Sequence, residues 1–249
     1  MKKNRIFTAA CAFALVLSPA LARADNVCAA TTLNNLIGTS CTIGDKTFDF
    51  VSLSTQGLAA NQIEFTPDAS NPLAPSFTIA PLTTFTIGPG NPAGSSGAMN
   101  DILNYDVTAG AGFLLTGSSL TVNGSVSGGT PTSNAGGGTV VDAFNQLGIA
   151  GDSTFFEACI QSGGGFTGCV LTNGTGSASA GGTLPTATNQ TLVGQAIWDA
   201  NTDSTGTATF TSATFAFNET ATTAPEPSSL ALLGTGLLGM AFRKFKQRK

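Results

Sequence analysis

Asp199, Asn201 and Asp203 stand at alternate positions and offer three side-chain oxygens that a hard cation such as calcium could gather. The run departs from the helix-loop-helix calcium pattern, because Ser204 holds the place of the loop glycine and Phe210 that of the closing carboxylate. A solvated, turn-forming acidic loop is the leading reading; calcium is the alternative, and no other cofactor is expected. Glu157 follows Phe155 and Phe156, surroundings that would raise a carboxyl pKa on burial. Nothing in the sequence sets a second acid beside it, as glycoside hydrolysis requires. Asp101 and Asp106 have opposite parity on one expected strand and so point to opposite faces. Trp198 and Tyr105 are the two aromatic side chains with a polar handle; Trp198, beside the acidic run, is the sugar-platform candidate, with packing as its ordinary role.

The inventory excludes much chemistry. The 249 residues contain no histidine, and Asp25 to Ala224 contain no arginine, so neither an imidazole-assisted nucleophile nor a guanidinium phosphate clamp can be assembled. Imidazole zinc sites are excluded likewise. Gly136 to Gly138 and Gly163 to Gly165 lack the lysine of a phosphate loop and read as flexible connections. A non-enzymatic protein is expected. Nine of the ten bases lie in the first 24 and last seven residues, which leaves Lys46 against thirteen acids in the body, a net charge of −12. A body so charged repels nucleic acid, which is not an expected partner.

Beyond the amino-terminal segment the cysteines are Cys28, Cys41, Cys159 and Cys169. Three pairings are possible on paper, and free thiols or a four-thiolate metal site are alternatives that the absence of Cys-x-x-Cys spacing disfavours. Cys28 with Cys41 and Cys159 with Cys169 is the expected pairing, since each closes a short loop. A loop of about fifteen residues contributes ~3 kcal/mol in the chain-entropy view.

The elements that would position these groups are strands. The body is rich in Thr, Ser, Gly, Ala and Phe, and apolar residues alternate at Phe77 and Ile79, Phe85 and Ile87, Leu103, Tyr105 and Val107, Leu120 and Val122, and Ala213, Phe215 and Phe217. Phe210 has the opposite parity to Ala213, which predicts a bulge between them. Turn chemistry fills Pro67 to Pro75, Pro89 to Gly97, Gly128 to Gly138 and Asn173 to Gly182. The expectation is an all-β fold, an antiparallel β-sandwich of jelly-roll type with a Phe core, and one short helix from Thr31 to Ile37 ended by Gly38.

The two ends read as addresses. Lys2, Lys3 and Arg5 precede an apolar stretch from Ile6 to Leu17, and Ala22-Arg23-Ala24 then gives the small-x-small pattern of signal-peptide cleavage before Asp25. At the other end, Pro225-Glu226-Pro227 precedes an apolar segment reaching Phe242 and the basic residues Arg243, Lys244, Lys246, Arg248 and Lys249. The segment from Ser228 to Phe242 spans about 22 Å as a helix, against roughly 30 Å of bilayer hydrocarbon. It is therefore expected as a short membrane helix, better suited to transient than to lasting anchorage. The expected organisation is a signal peptide over 1–24, an ectodomain over 25–219, a linker over 220–224 and a sorting signal over 225–249.

The order of Pro-Glu-Pro, Ser-Ser-Leu-Ala-Leu-Leu-Gly-Thr-Gly-Leu-Leu-Gly and a basic terminus resembles the PEP-CTERM sorting signal. A weaker likeness, from Cys28 through Leu33-Asn34-Asn35-Leu36-Ile37 and Cys41 to Phe48, is similar to the start of the mature region in a subset of those proteins, and supports the disulfide expectation. The resemblance implies passage through the export machinery, membrane retention through the tail, and recognition of Pro225, Glu226 and Pro227 by an exosortase-type membrane protease. It also implies a final place at the cell surface or in an extracellular polysaccharide matrix. The expected function is that of an exported surface or matrix protein associated with exopolysaccharide or biofilm. A carbohydrate-binding or calcium-dependent adhesion module is the alternative, and a polysaccharide hydrolase the second.

Overall fold

The computed structural model describes residues 26–88, 99–129, 139–149, 152–163, 167–188, 190–202 and 205–222. The expected cleavage residues Ala22, Ala24 and Asp25, the sorting residues Pro225, Glu226 and Pro227, the basic tail and Asp203 lie outside them. Among the described residues no helix is long and apolar enough to cross a membrane.

Period-two alternation becomes strand almost throughout. Sheet A runs, in spatial order, through β11 (Val170–Leu171), β10 (Asp152–Ser162), β9 (Thr139–Ile149), β13 (Leu192–Asn201), β7 (Met99–Thr108), β3 (Lys46–Ser54) and β2 (Ser40–Ile43). Its pairs are antiparallel except β10 with β11. Sheet B runs through β1 (Thr31–Thr32), β4 (Ile63–Asp68), β5 (Ser76–Pro81), β14 (Thr207–Ala221), β8 (Phe113–Ser127) and β12 (Gly174–Thr188), with β6 (Phe85–Ile87) also paired to β14. Among the described residues the single α-helix, α1 (Leu33–Leu36), is shorter than the expected 31–37, because Thr31 and Thr32 pair with β4 instead. Gly38, at φ 79°, takes the chain out of it as expected.

The two sheets face each other through their aromatic residues. Phe48 of β3 packs edge-on against Phe77 of β5 and Phe217 of β14, with ring centroids 5.9 and 5.0 Å away. Phe50 meets Phe65 at 5.2 Å, and Tyr105 meets Phe77 at 5.7 Å. On β7 the alternation is complete: Met99, Asp101, Leu103, Tyr105 and Val107 point inward and their neighbours outward. The bulge predicted between Phe210 and Ala213 falls between Phe210 and Ser212, where β14 shifts register against β8.

Two expectations need correction. Residues 173–182 are not a loop: Gly174 to Thr188 form β12, the edge of sheet B, paired along β8. Ladder hydrogen bonds come from the backbone, so a small-residue run can form a strand once a partner is present. The Asp199-Asn201 run is likewise not a loop, since both residues belong to β13. The disulfides pair as expected, Cys28 with Cys41 and Cys159 with Cys169.

Candidate functional site

The outer face of sheet A carries the functional side chains that the strand registers bring together. Asp142 of β9 stands directly opposite Asp199 of β13, and Asn100 of β7 is opposite Asp199 on its other side. Asn201 lies one step along the same face of β13. Asp142 Oδ1 and Asn201 Oδ1 are buried oxygens without a hydrogen-bond donor. Burial pushes the Asp142 carboxyl well above the usual carboxylate range, and the charges of Asp199 and Glu157 raise it further. Burial also moves Asp199 up to about 6, although a backbone N–H at Ala200 opposes the rise.

Two further rows cross this face. Phe144, Ile197 and Ile102 align on β9, β13 and β7, with Glu157 of β10 beside Phe144. Next to them Phe155, Gln146, Gln195, Asn104 and Ser52 form an amide row from β10 to β3. Gln195 Nε2 donates to Asn104 Oδ1 at 2.8 Å, and Asn104 Nδ2 donates to Ser52 Oγ at 3.0 Å. The Phe155 ring is 53% exposed and packs 5.1 Å from Phe144. Aromatic carbon beside amide donors and acceptors suits a ligand with both apolar faces and hydroxyls.

The sequence candidates fare differently. Asp199 and Asn201 share one face, and the fold adds Asp142, which sequence reasoning missed. The signal was present, since Val141, Ala143, Asn145 and Leu147 alternate with Asp142 and its like-facing neighbours. Glu157, Cys159 and Cys169 place ligand-type atoms close together, but the two sulfurs are bonded to each other and have no thiolate to offer a metal. Trp198 is not a surface platform: it is fully buried opposite Asp101, with no exposure for either. Its indole N–H is directed at the Asp101 carboxyl without reaching good hydrogen-bond geometry. Burial dominates there and moves Asp101 up to about 6, while the Gln56 backbone N–H, 2.7 Å from Oδ1, pulls the other way.

A second charged cluster lies between the sheets. Lys46 of β3 is wholly buried, its Nζ pairs with Glu219 of β14, and Asp45 Oδ1 is 3.3 Å away. Sequence reading treated Lys46 only as the solitary base of an acidic body, which was the available signal. A polar chain elsewhere in the core is hydrogen-bonded from end to end. Tyr105 donates to Asn145 Oδ1 at 2.7 Å, Asn145 donates to Ser118 Oγ at 2.7 Å, and Ser118 donates to the Ala216 carbonyl at 2.8 Å. Gly194 lies under the Tyr105 ring, where a Cβ would come within 2.4 Å of it.

The family model described as the PEP-CTERM protein-sorting motif matches residues 223–249. No curated protein matches the chain. Among solved structures, the Loop Swap mutant of Necallimastix patriciarum Xyn11A is similar at 8% identity over 78% of this chain and 100% of that one, with a TM-score of 0.22. A superposition that low carries no argument.

Proposed function

We propose that this chain, which bears a PEP-CTERM sorting tail, is a non-enzymatic protein of the cell surface or extracellular matrix, associated with exopolysaccharide. The motif match over residues 223–249 carries the reading, because such a tail marks an exported protein for exosortase sorting. A two-sheet, disulfide-clipped body with a net charge of −12 suits an oxidising exterior and remains soluble by self-repulsion. In this reading the tail holds the protein in the membrane until an exosortase-type protease acts at Pro225, Glu226 and Pro227. Deleting residues from Pro225 onward should abolish membrane retention and surface display and alter the mature mass. Unchanged fractionation, display and processing would remove the reading.

A second reading, a carbohydrate-binding or calcium-dependent adhesion module, is favoured by the outer face of sheet A. Its amide row and the exposed Phe155 would take a sugar chain laid across the strands. Asp142, Asp199 and Asn201 would take a hard cation at the end of that face, with two donor-free buried oxygens as the supporting observation. Polysaccharide retention lost in a Phe155→Ala/Gln195→Ala variant that melts like the parent is the expected result. Equal retention by the two proteins counts against it.

A further inference from the structure

We propose that Lys46 and Glu219 condense into an intramolecular amide that joins the two sheets, with Asp45 moving the protons. Lys46 and Glu219 have no side-chain exposure, and Lys46 Nζ is in direct contact with Glu219 Oε2. The neighbouring inward residues on the same two strands are Phe48 and Phe217, in edge contact with centroids 5.0 Å apart, so water is excluded on that side. Asp45 closes the other side with Oδ1 3.3 Å from Nζ and a side chain 28% exposed. Gly110 approaches Asp45 so closely that a Cβ there would stand 2.7 Å from the Asp45 carbonyl oxygen and 2.8 Å from its Oδ2. The nucleophile and a third acid–base group, adjacent in sequence, are thus held against the electrophile from the opposite sheet, with Gly110 backing Asp45.

The protonation state follows from the contacts. Asp45 and Glu219 bring two carboxyl groups against Lys46, and burial raises the Glu219 carboxyl above its ordinary value. Glu219 Oε1 and Asp45 Oδ2 otherwise lack donors although both are buried. With both side chains buried, transfer of the ammonium proton to Glu219 replaces two desolvated charges by a neutral amine and a carboxylic acid. Nζ then attacks Glu219 Cδ and forms the C–N bond. Asp45 accepts the proton leaving the nitrogen and returns one to the departing hydroxyl, the C–O bond breaks, and water leaves past the half-open Asp45 side. An ammonium and a carboxylate become an amide and one water, so atoms and charge balance and no co-reactant is needed. Fixed contact of the reacting groups supplies an effective molarity that can reach on the order of 10⁵ M or more.

The position gives the bond a purpose. β14 is the last strand before the residues that match the sorting motif, and β3 belongs to the opposite sheet, next to the hairpin that Cys28 and Cys41 clip. Tension applied through the tail would load β14 first, and the amide would pass that load covalently to β3.

The chain itself provides the test, because Lys46 is the sole trypsin site between Asp25 and Ala224 and an acylated lysine is not cleaved. Mature protein from the native host, reduced and denatured, should weigh one water less than its sequence and resist trypsin at Lys46. Lys46→Arg should restore both the water and the cleavage, and Asp45→Asn should leave a cleavable fraction. A parent protein of full mass that trypsin cuts completely at Lys46 would overturn the proposal and leave only an ion pair. Complete cross-linking in Asp45→Asn would overturn the role given to Asp45.

Discussion

The outer acid row and the Lys46 cluster both hold carboxyl groups out of water, and they differ in having a cation at hand. Between the sheets, Lys46 stands against Glu219 and Asp45, so the charge is compensated from within the chain. On the outer face Asp142 and Asp199 have no base, and compensation must come from a proton or a ligand cation. The contrast shows how an acidic protein uses a solitary internal base. It is buried between the sheets, while Asp142 and Asp199 stand on the outer face of sheet A.

The sharpest way to break the comparison is to remove the buried cation. Lys46→Met should destabilise the protein by about 3–5 kcal/mol, since it strands buried carboxyls without a partner. Lys46→Met combined with Glu219→Leu should recover most of the loss by chemical denaturation if the two groups form only an ion pair, and should stay as unstable as the single variant if they form the amide.

Next in size is the bridge beside the acid row, where Cys159 stands opposite Asp142. Cys159→Ser/Cys169→Ser should lower stability by about 2–3 kcal/mol, from the loop-entropy contribution of a short closed loop. Denaturant midpoints that coincide with the parent's would mean that the strand pairing of β10 already fixes this segment.

The buried acids also set a pH dependence. Asp101 and Asp199 titrate near 6 when folded, against about 3.9 for an ordinary Asp. Between those values the folded form keeps protons that the unfolded chain has released, so stability is greatest below about pH 4 and falls as pH rises through 6. Asp142, raised by burial in the same direction, adds to the fall. Melting temperatures from pH 4 to 8 should therefore decline, and Asp142→Asn/Asp199→Asn should flatten the decline. Calcium should raise the parent's melting temperature at pH 7.5 and leave that variant unmoved if the row holds the cation. The smallest effect is expected at Phe155→Ala, within about 0.5 kcal/mol of the parent because the ring is exposed.

Much of the strand pattern was legible. Leu103, Tyr105 and Val107 predicted the inward face of β7, and the parity break at Phe210 predicted a bulge that is present. The disulfide pairs were legible because each closes locally. β12 was not, because Gly, Ser and Ala carry no alternation of hydrophobicity even when the backbone pairs along its length. The candidate site was half legible. Asp199 and Asn201 were singled out for the right alternation but placed on a loop, and Asp142 was missed because only the pairing of β9 with β13 brings it alongside.

The sequence by itself determined which side of each alternating strand is apolar, the sorting motif, the short disulfide loops and the absence of histidine. These are local properties, set by a period of two residues or by residue type. Tertiary structure decided which strands are neighbours and in what register. That choice put Asp142 opposite Asp199 and carried Lys46 across the core to Glu219. Parity tells a residue which face it occupies, but the closure of long loops and the packing of two sheets decide what it faces.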